Sequence, residues 1–169
     1  MATHGRSLDT AASPAAVWAL WSDPPTWHLW NPDVQQVTLN GAFGDGTTGT
    51  MVSGGGRRHE IELANVRNQQ SFDLLTSALP GARFLFHCQV TPRTAGSTIS
   101  QSLSMSGLLA PVFDPLMGER IAASFEPLLR GLAQKAEQNQ AGPPTMEPPA
   151  PASPTVEPNP PSAEPPAAE

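Results

Sequence analysis

Residues 14–32 read PAAVWALWSDPPTWHLWNP and hold all four tryptophans of the chain, Trp18, Trp21, Trp27 and Trp30. Ser13 precedes the stretch. A serine hydroxyl accepts from the unpaired N–H groups of a helix's first turn, and proline suits the first helical position, where an N–H has no intrahelical partner. A helix is therefore predicted over about 14–22. Asp23-Pro24 repeats the device and predicts a second short helix over about 24–30. Asn31-Pro32 ends it, because the residue before proline avoids the α region.

Outward from this pair the chain alternates. Residues 3–12 read as a first strand. Six more follow at roughly 34–41, 47–54, 57–67, 70–78, 82–92 and 96–107, joined by turn signals such as Gly44-Asp45-Gly46, Pro80-Gly81 and Thr94-Ala95-Gly96. Alternation sorts their faces. Ile61 and Leu63 share a side with His59 and Asn65. Phe84, Phe86, Cys88 and Val90 oppose His87 and Gln89. Ile99, Gln101, Leu103 and Met105 oppose a wet row, Thr98, Ser100, Ser102, Ser104 and Ser106. One apolar and one polar face marks an antiparallel sheet covered on one side. Asp114-Pro115 predicts a third capped helix, running to about Gln138, with Ile121, Phe125, Leu128 and Leu132 on one face. Such a helix is about 37 Å long, comparable with seven strands at ~4.8 Å spacing. Pro127 predicts a kink or break, since proline removes a ladder bond and clashes with the preceding turn.

In this order the motifs resemble the polyketide cyclase/dehydrase and lipid-transport superfamily, the START-like, Bet v 1-like helix-grip proteins. Pro14 with Val17-Trp18 resembles its P-x-x-V-W. Asp23, Trp27, Trp30, Asn31 and Pro32 resemble its D-x-x-x-W-x-x-W-N-P. Gly41 with Gly46-Thr47 resembles the turn after strand two. Gly96-Ser97-Thr98 and Ser106-Gly107 resemble the two ends of the last strand, and Leu128-Leu129, Leu132 and Glu137 the end of the long helix. The resemblance covers about 6–138. It implies an α+β helix-grip fold, with a seven-stranded antiparallel curved sheet wrapped round a long C-terminal helix and two short helices between strands one and two. It also implies a buried Trp30 and a hydrophobic pocket.

Composition divides the chain. Residues 139–169 hold 11 of the 20 prolines, four Glu and no Lys, Arg, Phe or Trp. Such a Pro/Ala/Glu-rich tail cannot bury enough apolar surface to offset its ordering entropy and is expected to be disordered. The expected domain is 1–138. Its P-x-x-P spacings, such as Pro148/Pro151 and Pro158/Pro161, favour polyproline II. No base flanks them, so a spacer is expected rather than a protein partner's docking segment. The domain carries 11 acids and 9 bases, with no basic patch interleaved with aromatics, which argues against nucleic acid. No 18-residue apolar run and no secretory apolar stretch is present, so no membrane insertion and a cytoplasmic location are expected.

Chemistry-bearing residues are sparse. The four histidines, His4, His28, His59 and His87, form no metal-ligand spacing, and Cys88 is the only cysteine. No metal and no cofactor are expected. Gly54-Gly55-Gly56 has no helix after it and reads as a hairpin turn rather than a phosphate nest. His59 and Gln101, placed on apolar faces by alternation, are the candidate polar groups for orienting a ligand or moving a proton. The alternatives are a solvent-facing histidine beside Arg57-Arg58 and a structural amide. The apolar candidates for ligand contact are Trp30, Met51, Ile61, Leu63, Phe72 and Phe84. Phe86, Leu103, Met105, Met117, Ile121 and Phe125 complete the set, unless these side chains simply fill the core.

Two functions fit. One is binding of a hydrophobic small molecule, of lipid, polyketide or aromatic type, between sheet and C-terminal helix. The other is a metal-free cyclase/dehydratase-type enzyme acting on such a ligand. Polarity inside the cavity separates them: His59 and Gln101 both facing inward favour chemistry, and an all-apolar lining favours binding. The absence of tyrosine removes the phenol as a proton donor.

Overall fold

The computed structural model describes residues 3–142. After β1 (Thr3–Thr10), Ser13 Oγ accepts the Ala16 amide at 3.2 Å and opens α1 (Pro14–Trp21). A 3₁₀ helix follows over Pro24–Leu29. Its Asp23 makes no side-chain cap; instead the amide and hydroxyl of Thr26 donate to the Asp23 carbonyl. Six strands come next, β2 (Val34–Leu39), β3 (Thr48–Ser53), β4 (Arg58–Arg67), β5 (Ser71–Leu79), β6 (Ala82–Pro92) and β7 (Ser97–Ser106). Two helices close the domain, α2 (Ala110–Ala123) and α3 (Phe125–Ala141).

The strands form one antiparallel sheet in the order β1-β7-β6-β5-β4-β3-β2. β2 to β7 run as a meander, and β1 returns beside β7. β1 and β2 therefore sit on opposite edges. α1 and the 3₁₀ helix carry the chain across, over about 29 Å at the usual strand spacing. The expected architecture is present: an α+β helix-grip fold in which a curved seven-stranded sheet wraps a long, bent C-terminal helix.

Three local expectations need correction. Asp114-Pro115 does not start a helix; α2 begins at Ala110, with the Ala110 amide bonded to Gly107 O, and Pro115 lies inside it. The carboxylate of Asp114 is engaged elsewhere, 3.1 Å from His4 Nε2. The helix interruption is at Ser124, one turn before Pro127, because a proline displaces the carbonyl four residues back rather than its own position. Asn65 leaves the face of Ile61 and Leu63. A bulge between Ala64 and Arg67 puts it at φ 50°, exposed, where its Nδ2 donates to Asp73 Oδ2 at 2.7 Å. The helix also continues past 138 to Ala141; the rest of the proline-rich tail lies outside the described residues.

The concave face is filled at both ends. One core packs α1, the 3₁₀ helix and α3 onto β4 and β5, with Phe72 at its hub. Trp18, Trp21, Trp27 and Phe43 each place a ring 5.2–6.3 Å from that of Phe72. A smaller core packs Phe84, Leu103, Met105 and Ala122 around Phe125, with Met117 and Ile121 on its edge. Phe86 touches both.

Candidate functional site

Between these two cores lies a cavity of about 350 Å³. The tryptophan stretch forms one wall, with Trp21, Trp27, Trp30 and then Asn31, Asp33 and Val34. Its floor is the concave face of the sheet: Met51 and His59 from β3 and β4, Phe72 and Leu74 from β5, Phe86 and Cys88 from β6, and Gln101 from β7. Ile121, Ser124, Phe125 and Leu128 close it from the junction of α2 and α3. The bend at Ser124 is thus part of the site. Ser124 Oγ donates to Ile121 O at 2.8 Å, which ends α2 and turns Phe125 toward Phe86, with ring centroids 6.1 Å apart.

Of the residues expected at the ligand, Trp30, Met51, Phe72, Phe86, Ile121 and Phe125 border this cavity, as do His59 and Gln101. The others lie elsewhere. Ile61 and Leu63 are buried in the larger core, and Phe84, Leu103 and Met105 in the smaller one, with Met117 against its edge. Phe84, Phe86, Leu103, Met105, Ile121 and Phe125 meet in that smaller core, against α2. Only Phe86, Ile121 and Phe125 of those six reach the cavity. Leu74 and Cys88, two residues on from Phe72 and Phe86, were within reach of the alternation pattern. Asn31 and Asp33 were not: Asn31 read as part of a helix stop, and Asp33 carried no signal of its own.

The polar groups differ in how they are held. Asn31 Oδ1 accepts the Asp33 amide at 3.0 Å. Trp27 Nε1 donates to Trp21 O at 3.0 Å. Trp30 is 6% exposed, and its Nε1 is buried without a hydrogen-bond partner among the described residues. Burial, and secondarily the negative charge of Asp73, push the Cys88 thiol far up from its ordinary pKa. It stays protonated and acts as lining, since the thiolate is the nucleophile. His59 pairs in register with Met51, at the β2-side of the floor, whereas Gln101 sits opposite Cys88 toward the β1 edge.

The remaining histidines are outside the cavity. His87 lies on the convex face, its Nδ1 2.6 Å from Asp73 Oδ1. His4 lies under α2, and the His28 ring is 2.8 Å from Pro25 O. No group of three or more His, Cys, Asp or Glu is arranged for a metal ion among the described residues. No described helix is long and apolar enough to cross a membrane.

The sequence profile described as "Polyketide cyclase / dehydrase and lipid transport" matches residues 1–137. No curated protein matches. Solved structures share the fold at low identity. A Thermobifida fusca protein solved in solution is 23% identical, with a TM-score of 0.60 over 80% of this chain and 95% of that one. The di-domain ARO/CYC protein StfQ of the steffimycin biosynthetic pathway is 12% identical, with a TM-score of 0.68 over 82% of this chain and 52% of that one. Thalictrum flavum norcoclaurine synthase, a point mutant bound to a transition-state analogue, is 15% identical, with a TM-score of 0.62 over 82% of this chain and 96% of that one.

Proposed function

The chain belongs to the polyketide cyclase/dehydrase and lipid-transport family, and on that premise we propose that it binds a hydrophobic small molecule between the sheet and α3. One observation carries the reading: a cavity of about 350 Å³, walled by Trp30, Phe72, Phe86, Phe125 and Leu128, opens where two filled cores meet. Binding there removes ligand surface from water at about 25 cal/mol per Å². Affinity then tracks ligand hydrophobicity and depends little on salt. The test is titration with an apolar fluorescent probe such as ANS at low and high ionic strength. The expected result is saturable binding, insensitive to salt and abolished in a folded Phe86→Asp variant. Absence of binding, or a steep fall with salt, overturns the reading.

A second reading is favoured by a separate observation. His59 and Gln101 both border the cavity, on opposite sides of its floor. Two polar groups facing an apolar ligand suit a cyclase/dehydratase-type step, with His59 moving a proton and Gln101 orienting a carbonyl. Its test is turnover of a short poly-β-ketone thioester. Loss of turnover in His59→Gln with probe binding intact supports chemistry, and no turnover by the native protein leaves binding as the function.

A further inference from the structure

We propose that the outer face of α2 and the turn before it dock on the surface of an anionic lipid bilayer, with Leu108, Val112 and Leu116 entering its apolar edge and Arg120 meeting the headgroups. The contact is separate from the cavity and does not depend on what the cavity holds.

α2 is turned the wrong way round for a helix that meets only protein and water. With about 3.6 residues per turn, Ala110, Asp114, Gly118 and Ala122 lie along one line of the helix, and Leu109, Val112, Leu116 and Arg120 along the opposite one. The first line faces the sheet. Ala110, Gly118 and Ala122 are buried, and Asp114 Oδ1 lies 3.1 Å from His4 Nε2. The second faces out. Val112 is 55% exposed and Leu116 71%, and Leu108, in the turn before the helix, is 88% exposed. Small and polar side chains thus take the core side and large apolar ones take the outside. The hydrophobic effect drives the reverse arrangement, so the outer line is built for a medium other than water.

Charge on the helix is sorted in the same way. Both acids of α2 are held by β1, Asp114 by His4 and Glu119 by Arg6. Its one base, Arg120, is exposed one turn beyond Leu116 and makes no ion pair among the described residues. An apolar stripe that ends in an unneutralised arginine matches the border of an anionic bilayer, where hydrocarbon lies beneath negative headgroups. A protein partner matches it less well. A standard interface takes about 20–30 residues a side, whereas the stripe offers Leu108, Leu109, Val112 and Leu116. None of these is aromatic, and leucine and valine are under-represented among the residues that anchor protein interfaces. The protruding Leu108 would need a shaped pocket on a protein and needs none in lipid. α2 lies on the bilayer rather than crossing it: its 14 residues span about 21 Å, against a hydrocarbon core of about 30 Å.

The test is co-flotation of the full chain with vesicles of phosphatidylcholine alone and of phosphatidylcholine mixed with phosphatidylglycerol. The native protein is expected to float with the mixed vesicles and less with phosphatidylcholine alone. Replacing both Leu108→Ser and Leu116→Ser alters only exposed side chains and is expected to weaken binding at least about tenfold, as two leucines no longer leave water. Leu116→Asp alone gives the same loss and serves if the double variant is unstable. Arg120→Gln is expected to weaken binding to the mixed vesicles about fivefold, the usual worth of one base at an anionic surface, and to leave binding to phosphatidylcholine unchanged. A native protein that floats with neither vesicle, or leucine variants that float as well as native, overturns the docking surface. Equal behaviour of Arg120→Gln and native on the mixed vesicles overturns the headgroup contact. Sedimentation velocity on the same proteins separates the remaining occupant: a native dimer that becomes a monomer in the leucine variants makes the stripe a contact between two copies and overturns the proposal.

Discussion

α2 and α3 are two halves of one helical segment, divided at Ser124, and they are held in different ways. α3 buries Phe125, Leu128, Leu129, Leu132, Ala133 and Ala136 along one face. α2 buries only Ala110, Gly118 and Ala122, and leaves Leu109, Val112 and Leu116 exposed. Both use a glycine for a close approach. A Cβ on Gly131 of α3 would meet the Trp30 backbone, whereas one on Gly118 of α2 would meet the end of the His4 ring. Both also send a glutamate back to the β1 end of the sheet: Glu137 from α3 and Glu119 from α2. The difference teaches that the gripped helix is α3. α2 is a cover, resting on a smaller core and a polar cluster, whose last turn reaches the cavity through Ile121.

The sharpest way to break this comparison is to shorten one side chain on each helix. Leu132 is fully buried on α3, and Leu132→Ala is expected to cost about 2–5 kcal/mol of unfolding free energy. Met117 is half-buried on α2, and Met117→Ala is expected to cost about 1 kcal/mol, because less apolar surface leaves water there. Chemical denaturation measures both. Equal losses would mean that α2 is as integral to the fold as α3.

The two glycines give a smaller and more diagnostic contrast. Alanine favours a helix interior over glycine by up to about 1 kcal/mol. At Gly118 the obstacle is the Cδ2/Nε2 end of a histidine side chain, which can rotate away. Gly118→Ala is expected to fall within about 0.5 kcal/mol of native, as gain and displacement offset each other. At Gly131 the obstacle is the backbone carbonyl of Trp30, which cannot swing aside as a side chain does. Gly131→Ala is expected to lose about 1–3 kcal/mol, the usual cost of overpacking, and to weaken probe binding by shifting Trp30. A neutral Gly131→Ala would show that α3 slides over the tryptophan segment freely.

This division was only partly legible in the sequence, and the reasons are physical. Caps and alternation are local. They placed α1, the 3₁₀ helix and all seven strands to within about two residues, because the Ser13 cap, the prolines at 14 and 24 and the strand periodicity act on neighbours in the chain. They failed where tertiary contacts decide. Asp114-Pro115 looked like a helix start, but Asp114 is held by His4 of β1, 110 residues away in the chain. Asn65 followed the period of Ile61 and Leu63 until a bulge broke it. The site shows the same limit. Alternation tells which face a side chain takes, and so brought Phe86, His59 and Gln101 to the concave side. It does not tell how far along the strand the covering helices reach. Leu103 and Met105 face the same way and lie under α2, while Gln101, one step along β7, borders the cavity. Trp30 was expected to be buried; that its N–H would be unpaired depends on atoms from several elements and has no signature in the chain.

The smallest effect separates the two glutamates by salt and pH. Both carboxyls have pKa values below the ordinary glutamate value. For Glu137 the main cause is the Thr10 hydroxyl, donating at 2.5 Å, followed by the Ala11 amide at 2.9 Å. For Glu119 it is the hydrogen bond and charge of Arg6, with His4 adding less. The sign follows from the direction. A carboxyl whose pKa is lower folded than unfolded stabilises the fold above its unfolded value, about 4.3, and loses that contribution as pH falls through the folded value. Both helices should therefore loosen in acid below about pH 4.3. Salt tells them apart. Arg6 and Glu119 are an exposed ion pair that mobile ions screen, whereas Thr10 and Ala11 are neutral donors that ions do not screen. The stability lost in Glu137→Gln at pH 7 is expected to persist at about 0.5 M salt, where the Debye length falls to roughly 4 Å. Any loss in Glu119→Gln is expected to vanish there. Denaturation midpoints of the two variants at pH 7 and pH 3, each with and without salt, decide the matter. A salt-sensitive Glu137 would mean that α3 is tied to β1 by charge, as α2 is, and the contrast between the two helices would rest on their apolar faces alone.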